Sequence, residues 1–229
     1  MSENKAQLEA LYPFLSGDKK DPKKKNESLL ESVRQKAEHS VTVKQAFFQE
    51  NTQLIVDTAY TIACIYQNDG QLLSMGNGGS SCDASHIAVE FLHPITAGRP
   101  ALTVINLVVD TAMITAVSND VGFDHVFVRQ LEAHAKKGDG LIGISTSGNS
   151  ENLMAAFNRA KEMGLYTIGL SGNDGGKMAE QGFLDHCLVV QTDSIHRTQE
   201  CHVALYHILW DLVHTILADN RGNLGKYDL

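Results

Sequence analysis

The sequence predicts an α/β protein: a three-layer α/β/α sandwich around a central parallel sheet, preceded by N-terminal helices. After Gly70, short apolar runs alternate with helical patterns, joined by short loops. Repeated βα units of that kind argue for a parallel sheet with helices on both faces. The runs are continuously apolar, as in strands buried on both sides. Before Gly70, residues 26–67 carry the three-four spacing of amphipathic helices.

The elements follow in order. Residues 1–25 read as an appendage. Leu8, Leu11 and Phe14-Leu15 suit a short helix or docking patch, and Asp18-Lys19-Lys20-Asp21-Pro22-Lys23-Lys24-Lys25 reads as a solvated linker. Residues 26–229 then form one domain with its N-terminal helical pair. Leu30, Val33, Ala37 and Val41 mark the first helix, and Leu54, Ile55, Thr58, Ala59 and Ile62 the second, with a break near Glu50-Asn51. Asn68-Asp69-Gly70 supplies turn chemistry. Strands are expected at Leu72–Met75, Leu102–Leu107, Leu141–Ile144, Tyr166–Leu170 and Cys187–Val190. Helices are expected at Cys82–Leu92, Asp110–Val117, Asp124–Lys136, Glu151–Met163 and Lys177–Gln181, with Gly164 as a helix stop. A long closing helix, Thr198 to Ala218, presents Leu205, Ile208, Leu209, Leu212, Ile216 and Leu217 on one wide face.

Composition excludes several functions. A formal net charge of −8 disfavours nonspecific nucleic-acid binding. No run reads as the roughly 20 apolar residues of a membrane span. Met1 to Leu11 is polar and mixed in charge, unlike a secretory signal. Cys64, Cys82, Cys187 and Cys201 are scattered and form no CxxC pair, so a reducing cytoplasm is the expected compartment.

Two glycine-bearing βα turns hold the chemistry. In Gly76-Asn77-Gly78-Gly79-Ser80-Ser81, glycines permit a tight turn and close approach of a ligand to backbone. The helix that follows carries His86 and Glu90 at i,i+4, which places imidazole and carboxylate on one face. On its own such a pair is usually a helix-surface contact; its position just past a glycine turn favours function. Ser145-Thr146-Ser147-Gly148-Asn149-Ser150 is the second turn, with Glu151 in the first turn of its helix. Backbone N–H groups, the helix dipole and several hydroxyls favour an anion there, with no lysine or arginine in the loop. A plain cap would need only one hydroxyl.

Two familiar motifs fail on spacing. The first turn lacks the third glycine of the dinucleotide fingerprint. Gly172-Asn173-Asp174-Gly175-Gly176-Lys177-Met178 has three residues between its outer glycines, and Met178 stands where a P-loop has Ser or Thr. It reads as a plain loop leaving a strand. In the closing helix, Gln199, Val203 and His207 share one stripe, so His86, Glu90, Gln199 and His207 offer N and O donors for a zinc-like site. Glutamine is an uncommon zinc ligand, and spacing alone does not select it. His202 and His214 read as core or surface histidines.

Taken together, Gly76-Asn77-Gly78-Gly79-Ser80, Asn119-Asp120, Ser145-Thr146-Ser147-Gly148-Asn149-Ser150 and Arg197-Thr198-Gln199-Glu200, in that order, resemble the sugar isomerase (SIS) superfamily over about residues 26–220. Within it the chain is most similar to the phosphoheptose isomerases, which interconvert sedoheptulose 7-phosphate and glycero-manno-heptose 7-phosphate. The resemblance implies sugar-phosphate binding by Asn77, Gly78, Gly79, Asn119, Asp120, Ser145, Thr146, Ser147 and Ser150, with Glu90 and Gln199 also at the substrate. It implies zinc, one ion per subunit, on His86, Glu90, Gln199 and His207, acid–base catalysis by Glu90 and His207, and a homotetramer. The chain departs from the family where a Gly-Arg often follows the first helix's Glu: it reads Phe91-Leu92-His93-Pro94, with the next basic group at Arg99. His196 replaces an acidic residue three places before Gln199. Two other expectations follow from the same superfamily: a non-catalytic phosphosugar sensor or replication-initiator-associating module, and an isomerase of another sugar phosphate.

Overall fold

The computed structural model describes residues 22–95, 98–180 and 182–219. Most of the 1–25 appendage therefore lies outside the described residues, including Leu8, Leu11 and Phe14-Leu15. The chain divides into two compact units, 1–39 and 40–229. Helix α1 spans Pro22–Glu50, so the last residues of the expected linker are helical. Proline is favoured at a first helical position, where its missing N–H costs nothing. In the first unit, Leu29, Leu30 and Val33 are exposed.

In the second unit, α1 ends where the sequence placed a break. The Asn51 carboxamide donates to the Phe47 carbonyl at 2.9 Å, and Thr52–Gln67 forms α2. Asp69 takes a left-handed φ of 58° and the chain turns into β1, Leu72–Gly76. There follow α3 (Gly79–Leu92), β2 (Val104–Asn106), α4 (Thr111–Asp120), a 3-10 turn at Phe123–His125, and α5 (Val128–His134). Next come β3 (Gly140–Ser145), α6 (Glu151–Glu162), β4 (Tyr166–Gly172), a 3-10 turn at Gly176–Ala179, β5 (His186–Val190) and α7 (Ile195–Asp219).

Two predicted helices are thus shorter. Asp124–Lys136 divides into a 3-10 turn and α5. Lys177–Gln181 is replaced by the Gly176–Ala179 turn, because Gly175 and Gly176 enter it with φ of 88° and 53°, conformations that do not continue an α-helix.

The five strands are all parallel, in the order β2-β1-β3-β4-β5. Every residue of β1 and β3 is buried, which explains their unbroken apolar reading. One face is covered by α2, α3 and α7 through Ile62, Ile87, Phe91, Leu205 and Leu209. The other is covered by α4, α5 and α6 through Val117, Leu131 and Phe157, packed on Leu73 and Met75 of β1. α7 is long and apolar enough to cross a membrane by length and composition. Its Leu205, Leu209 and Val213 are instead buried in the core.

β1 and β3 are neighbours, and the chain leaves them in opposite directions: from β1 through α3 to β2, from β3 through α6 to β4. This is a topological switch point, and open α/β sheets bind ligands in the crevice beyond the carboxyl ends of such strands. Both glycine-bearing turns end there.

Candidate active site

The turn after β1 has no room for larger residues at two of its glycines. A Cβ on Gly76 would run into the Ser80 carbonyl, and one on Gly79 into the Gln199 carboxamide. Gln199, near the start of α7, therefore lies directly on this turn. Gly78, with φ 55° and ψ −123°, is the cap of α3. The N–H groups of Ser80 and Ser81 donate to the carbonyls of Asn77 and Gly78 at 3.0 and 3.1 Å and start the helix.

Further along α3, His86 and Glu90 face α7. His86 Nε2 is 3.1 Å from Glu90 Oε1, and Nδ1 is 2.7 Å from the Tyr206 hydroxyl. The His207 ring stands nearly perpendicular to that of His86, with centroids 5.0 Å apart. Ligand atoms of His86, Glu90 and His207 all lie within 4.8 Å of one another, on half-buried residues. Two imidazoles and a carboxylate converging from two helices fit a zinc ion by donor chemistry. The Tyr206 hydroxyl accepts a hydrogen bond from His86 Nδ1–H when Nε2 is engaged by a cation, the usual way a metal-binding imidazole is oriented.

Burial pushes the Tyr206 phenol up, and the Asp83 and Glu90 carboxylates add to the effect, so the hydroxyl keeps its proton. Asp83, one turn before His86, is buried, and its Oδ2 has no hydrogen-bond partner among the described residues. Burial pushes its carboxyl up to about 6, against the pull of His86. The Trp210 indole N–H donates to the Glu90 carbonyl at 2.8 Å and fixes that end of α3. Arg99 lies 4.3 Å over the Trp210 ring and pairs with Asp211 at 2.6 Å. The first basic group after Glu90 thus returns to the same pair of helices.

The turn after β3 is built differently. Ser150 occupies the cap position of α6, yet its side chain makes no capping bond. Its hydroxyl instead lies 3.0 Å from that of Ser145. The amides at the start of α6 therefore receive no side-chain cap from Ser150, and the hydroxyls line the turn. Ser145 is buried, Thr146 half-buried and Ser147 exposed. Gly148 has φ 64°, and a Cβ there would strike the Gly175 carbonyl.

The loop that spacing marks as a plain exit from β4 is the support of this turn. Met178 N–H donates to the Gly148 carbonyl at 3.1 Å, and Lys177 N–H to Asn149 Oδ1 at 3.0 Å. The two turns are joined by Asn77 and Asn152, whose carboxamides exchange hydrogen bonds of 2.8 and 2.9 Å. Among the described residues, Asn119 and Asp120 make no hydrogen bond to either turn. Both are exposed at the end of α4, where the Asn119 carboxamide donates to Asp120 at 2.8 Å. A cavity of about 180 Å³ beside the first turn is lined by Asn77, Gly78, Ser81, Ile114 and Phe123, among others, but not by that pair.

Residues 37–172 match the SIS domain family. A phosphoheptose isomerase of Desulfovibrio desulfuricans is 40% identical over 203 residues, which span 88% of this chain and 95% of that protein. The chain belongs to the phosphoheptose isomerase family of SIS-domain proteins. It is an isomerase. Two solved phosphoheptose isomerases share its fold. That of Neisseria gonorrhoeae is 37% identical with a TM-score of 0.76, matching 82% of this chain and 99% of its own. That of Francisella tularensis is 32% identical with a TM-score of 0.77, matching 81% and 98%.

The sequence offered little sign of Tyr206, Trp210, Asn152 or the Gly175-Gly176-Lys177 buttress. Trp210 is the only tryptophan, and a lone indole in an amphipathic helix that also carries His207 is the one available hint.

Proposed function

We propose that the chain interconverts sedoheptulose 7-phosphate and D-glycero-D-manno-heptose 7-phosphate, as an aldose–ketose isomerase that works by acid–base proton transfer. The observation that carries this reading is the convergence of His86, Glu90 and His207, with the turn before α3 joined through Asn77 and Asn152 to the hydroxyl-bearing turn after β3. Isomerisation moves a proton between adjacent carbons through an enediol. It needs a base at one carbon and an acid for the neighbouring oxygen.

Glu90 is assigned the carbon-bound proton. Its main chain is held by Trp210, which limits how far its carboxylate can wander. His207 serves the substrate from α7, opposite α3. Ser145, Thr146, Ser147 and Ser150 anchor the phosphate, so that binding energy far from the reacting carbons positions them. Asn77 braces this anchor through Asn152. His86, Glu90, Gln199 and His207 are the residues that would hold zinc, which when bound supplies Lewis-acid polarisation of the carbonyl.

One experiment tests the assignment: isomerisation followed by NMR in deuterated water. Glu90→Gln should still bind sugar phosphate while turnover falls by about 10² or more, with solvent exchange at the substrate carbon falling in step. Ser147→Ala should weaken binding more than it slows turnover. Equal rates for wild type and Glu90→Gln would remove Glu90 from the chemistry. On the same samples, wild type should carry close to one zinc per chain and His207→Ala much less; full activity after chelation would remove the metal.

The exposed Leu29, Leu30, Val33 and Val41 of α1 support association of the chain as a homotetramer, because a stripe of that kind gains from being covered. Light scattering that gives a monomer at micromolar concentration would exclude it.

A further inference from the structure

The turn Ser145–Ser150 contains no formal charge, and its neutral donors alone leave the charge of a phosphate dianion uncompensated. The loop after β4 changes that balance. Its backbone lies on the serine turn through Lys177 N–H to Asn149 and Met178 N–H to Gly148. Gly176 is packed so closely that a Cβ would meet the Ser147 carbonyl and the Asn149 carboxamide. This packing delivers a lysine to the turn. The Lys177 ammonium is ion-paired with Glu151 at 2.5 Å, and Glu151 follows Ser150 as the first residue of α6.

The two charges act oppositely on an anion at that helix start. A carboxylate in the first turn of a helix is favoured by the helix dipole when the site is empty. It repels a phosphate that competes for the same positive end. The ammonium attracts that phosphate. Lys177 and Glu151 are 48% and 60% exposed, and an ion pair so placed contributes little by itself. Exchanging one carboxylate oxygen for a dianion therefore costs little, and the flexible stem and rotatable donors of lysine permit the exchange.

We propose that Lys177 is a phosphate-recognition residue: Glu151 holds its ammonium beside the serine turn in the free protein, and the ammonium moves its hydrogen bond to the phosphate when a sugar phosphate binds. The inference rests on the reading of the serine turn as the phosphate anchor. It adds a residue outside that turn and assigns Glu151 the opposite sign.

Calorimetric titration of the whole protein with inorganic phosphate and with sedoheptulose 7-phosphate, at low and high salt, tests it. Lys177→Gln should weaken both ligands about tenfold, the scale of one hydrogen bond to a charged group. It should also flatten the salt dependence, and its loss should appear more in KM than in kcat, since no proton in flight is assigned to Lys177. Lys177→Arg keeps the charge and should stay within about threefold. Glu151→Gln should tighten binding by about threefold. Binding by Lys177→Gln equal to wild type would overturn the proposal. So would equal weakening by Lys177→Gln and Glu151→Gln, the mark of a staple that merely holds two loops together. A wild type that binds neither ligand would remove the phosphate anchor itself, and the proposal with it. Wild-type binding with an unaffected Lys177→Gln would remove Lys177 alone.

Discussion

The turns after β1 and β3 lie side by side at the switch point, each a strand end, a left-handed glycine and a helix start. Gly78 and Gly148 have nearly the same φ, 55° and 64°. Their surroundings differ. A Cβ on Gly78 would meet nothing within 4 Å, whereas one on Gly148 would strike the Gly175 carbonyl and crowd the Ser171 hydroxyl. The first turn is open at Gly78, although Gly79 is packed on Gln199, and it leads into a helix that carries His86 and Glu90. The second is enclosed by the loop after β4 and leads into a helix with no titratable group facing the site beyond Glu151. An anchor must be preorganised, because any freedom lost on binding is subtracted from affinity. A turn that presents reacting groups needs room for the substrate. On the proposed function, similar backbone turns are divided between these tasks by what packs behind them.

Substituting alanine at each glycine is the largest test of this difference. Both variants carry the strain of a non-glycine residue at positive φ, about 1–3 kcal/mol. Gly148→Ala must also displace a backbone carbonyl, so it should cost about 4 kcal/mol in all and lower the melting temperature by about 10 °C. Phosphate binding should be lost with it. Gly78→Ala should cost only the strain. Thermal unfolding of both variants, with phosphate titration of whatever remains folded, checks the prediction. Equal losses would mean that the enclosure of the second turn is unimportant.

The same contrast explains what could be read from sequence. β1 and β3 were legible because they are buried on both faces, and such strands are apolar without interruption. The break at Asn51 was legible because helical spacing stops there and a polar residue intervenes. The start of α1 at Pro22 was not, because a lysine-rich run looks the same in a solvated helix and in a linker. His86 and Glu90 were visible as an i,i+4 pair after a glycine turn. The support of the second turn was not, because Gly175, Lys177 and Met178 reach Gly148 and Asn149 only once β3 and β4 are neighbours. The same holds for Tyr206 on His86 and Asn152 on Asn77: each contact depends on strand order, and nothing local in sequence announces it. Glycines in a failed P-loop pattern were a signal of close backbone approach, but to another loop.

The smallest effect concerns the place where the two halves of the site meet. His202, on α7 between Gln199 and His207, is fully buried, and its Nε2 lies 3.0 Å from the Ser171 carbonyl at the end of β4. Ser171 also contacts the space beside Gly148, so this imidazole ties the helix that carries Gln199 and His207 to the strand end that backs the second turn. Nδ1 has no partner among the described residues, which suits a neutral ring that donates from Nε2. Burial lowers the His202 pKa from 6.5 to about 4, against the hydrogen bond to Ser171. A folded pKa below the unfolded one means that the unfolded chain binds the proton more readily. Stability is therefore fully present above pH 6.5 and is lost as pH falls toward 4, by about 3 kcal/mol at the lower limit. Glutamine at this position keeps a donor for Ser171 but does not titrate. Denaturant unfolding of wild type and His202→Gln across pH 4 to 7 should show the two stabilities converging as the pH falls, with the variant less stable at pH 7 and its curve flatter by that amount. Parallel curves would mean that acid sensitivity arises elsewhere and that the link between the two turns does not depend on a neutral imidazole.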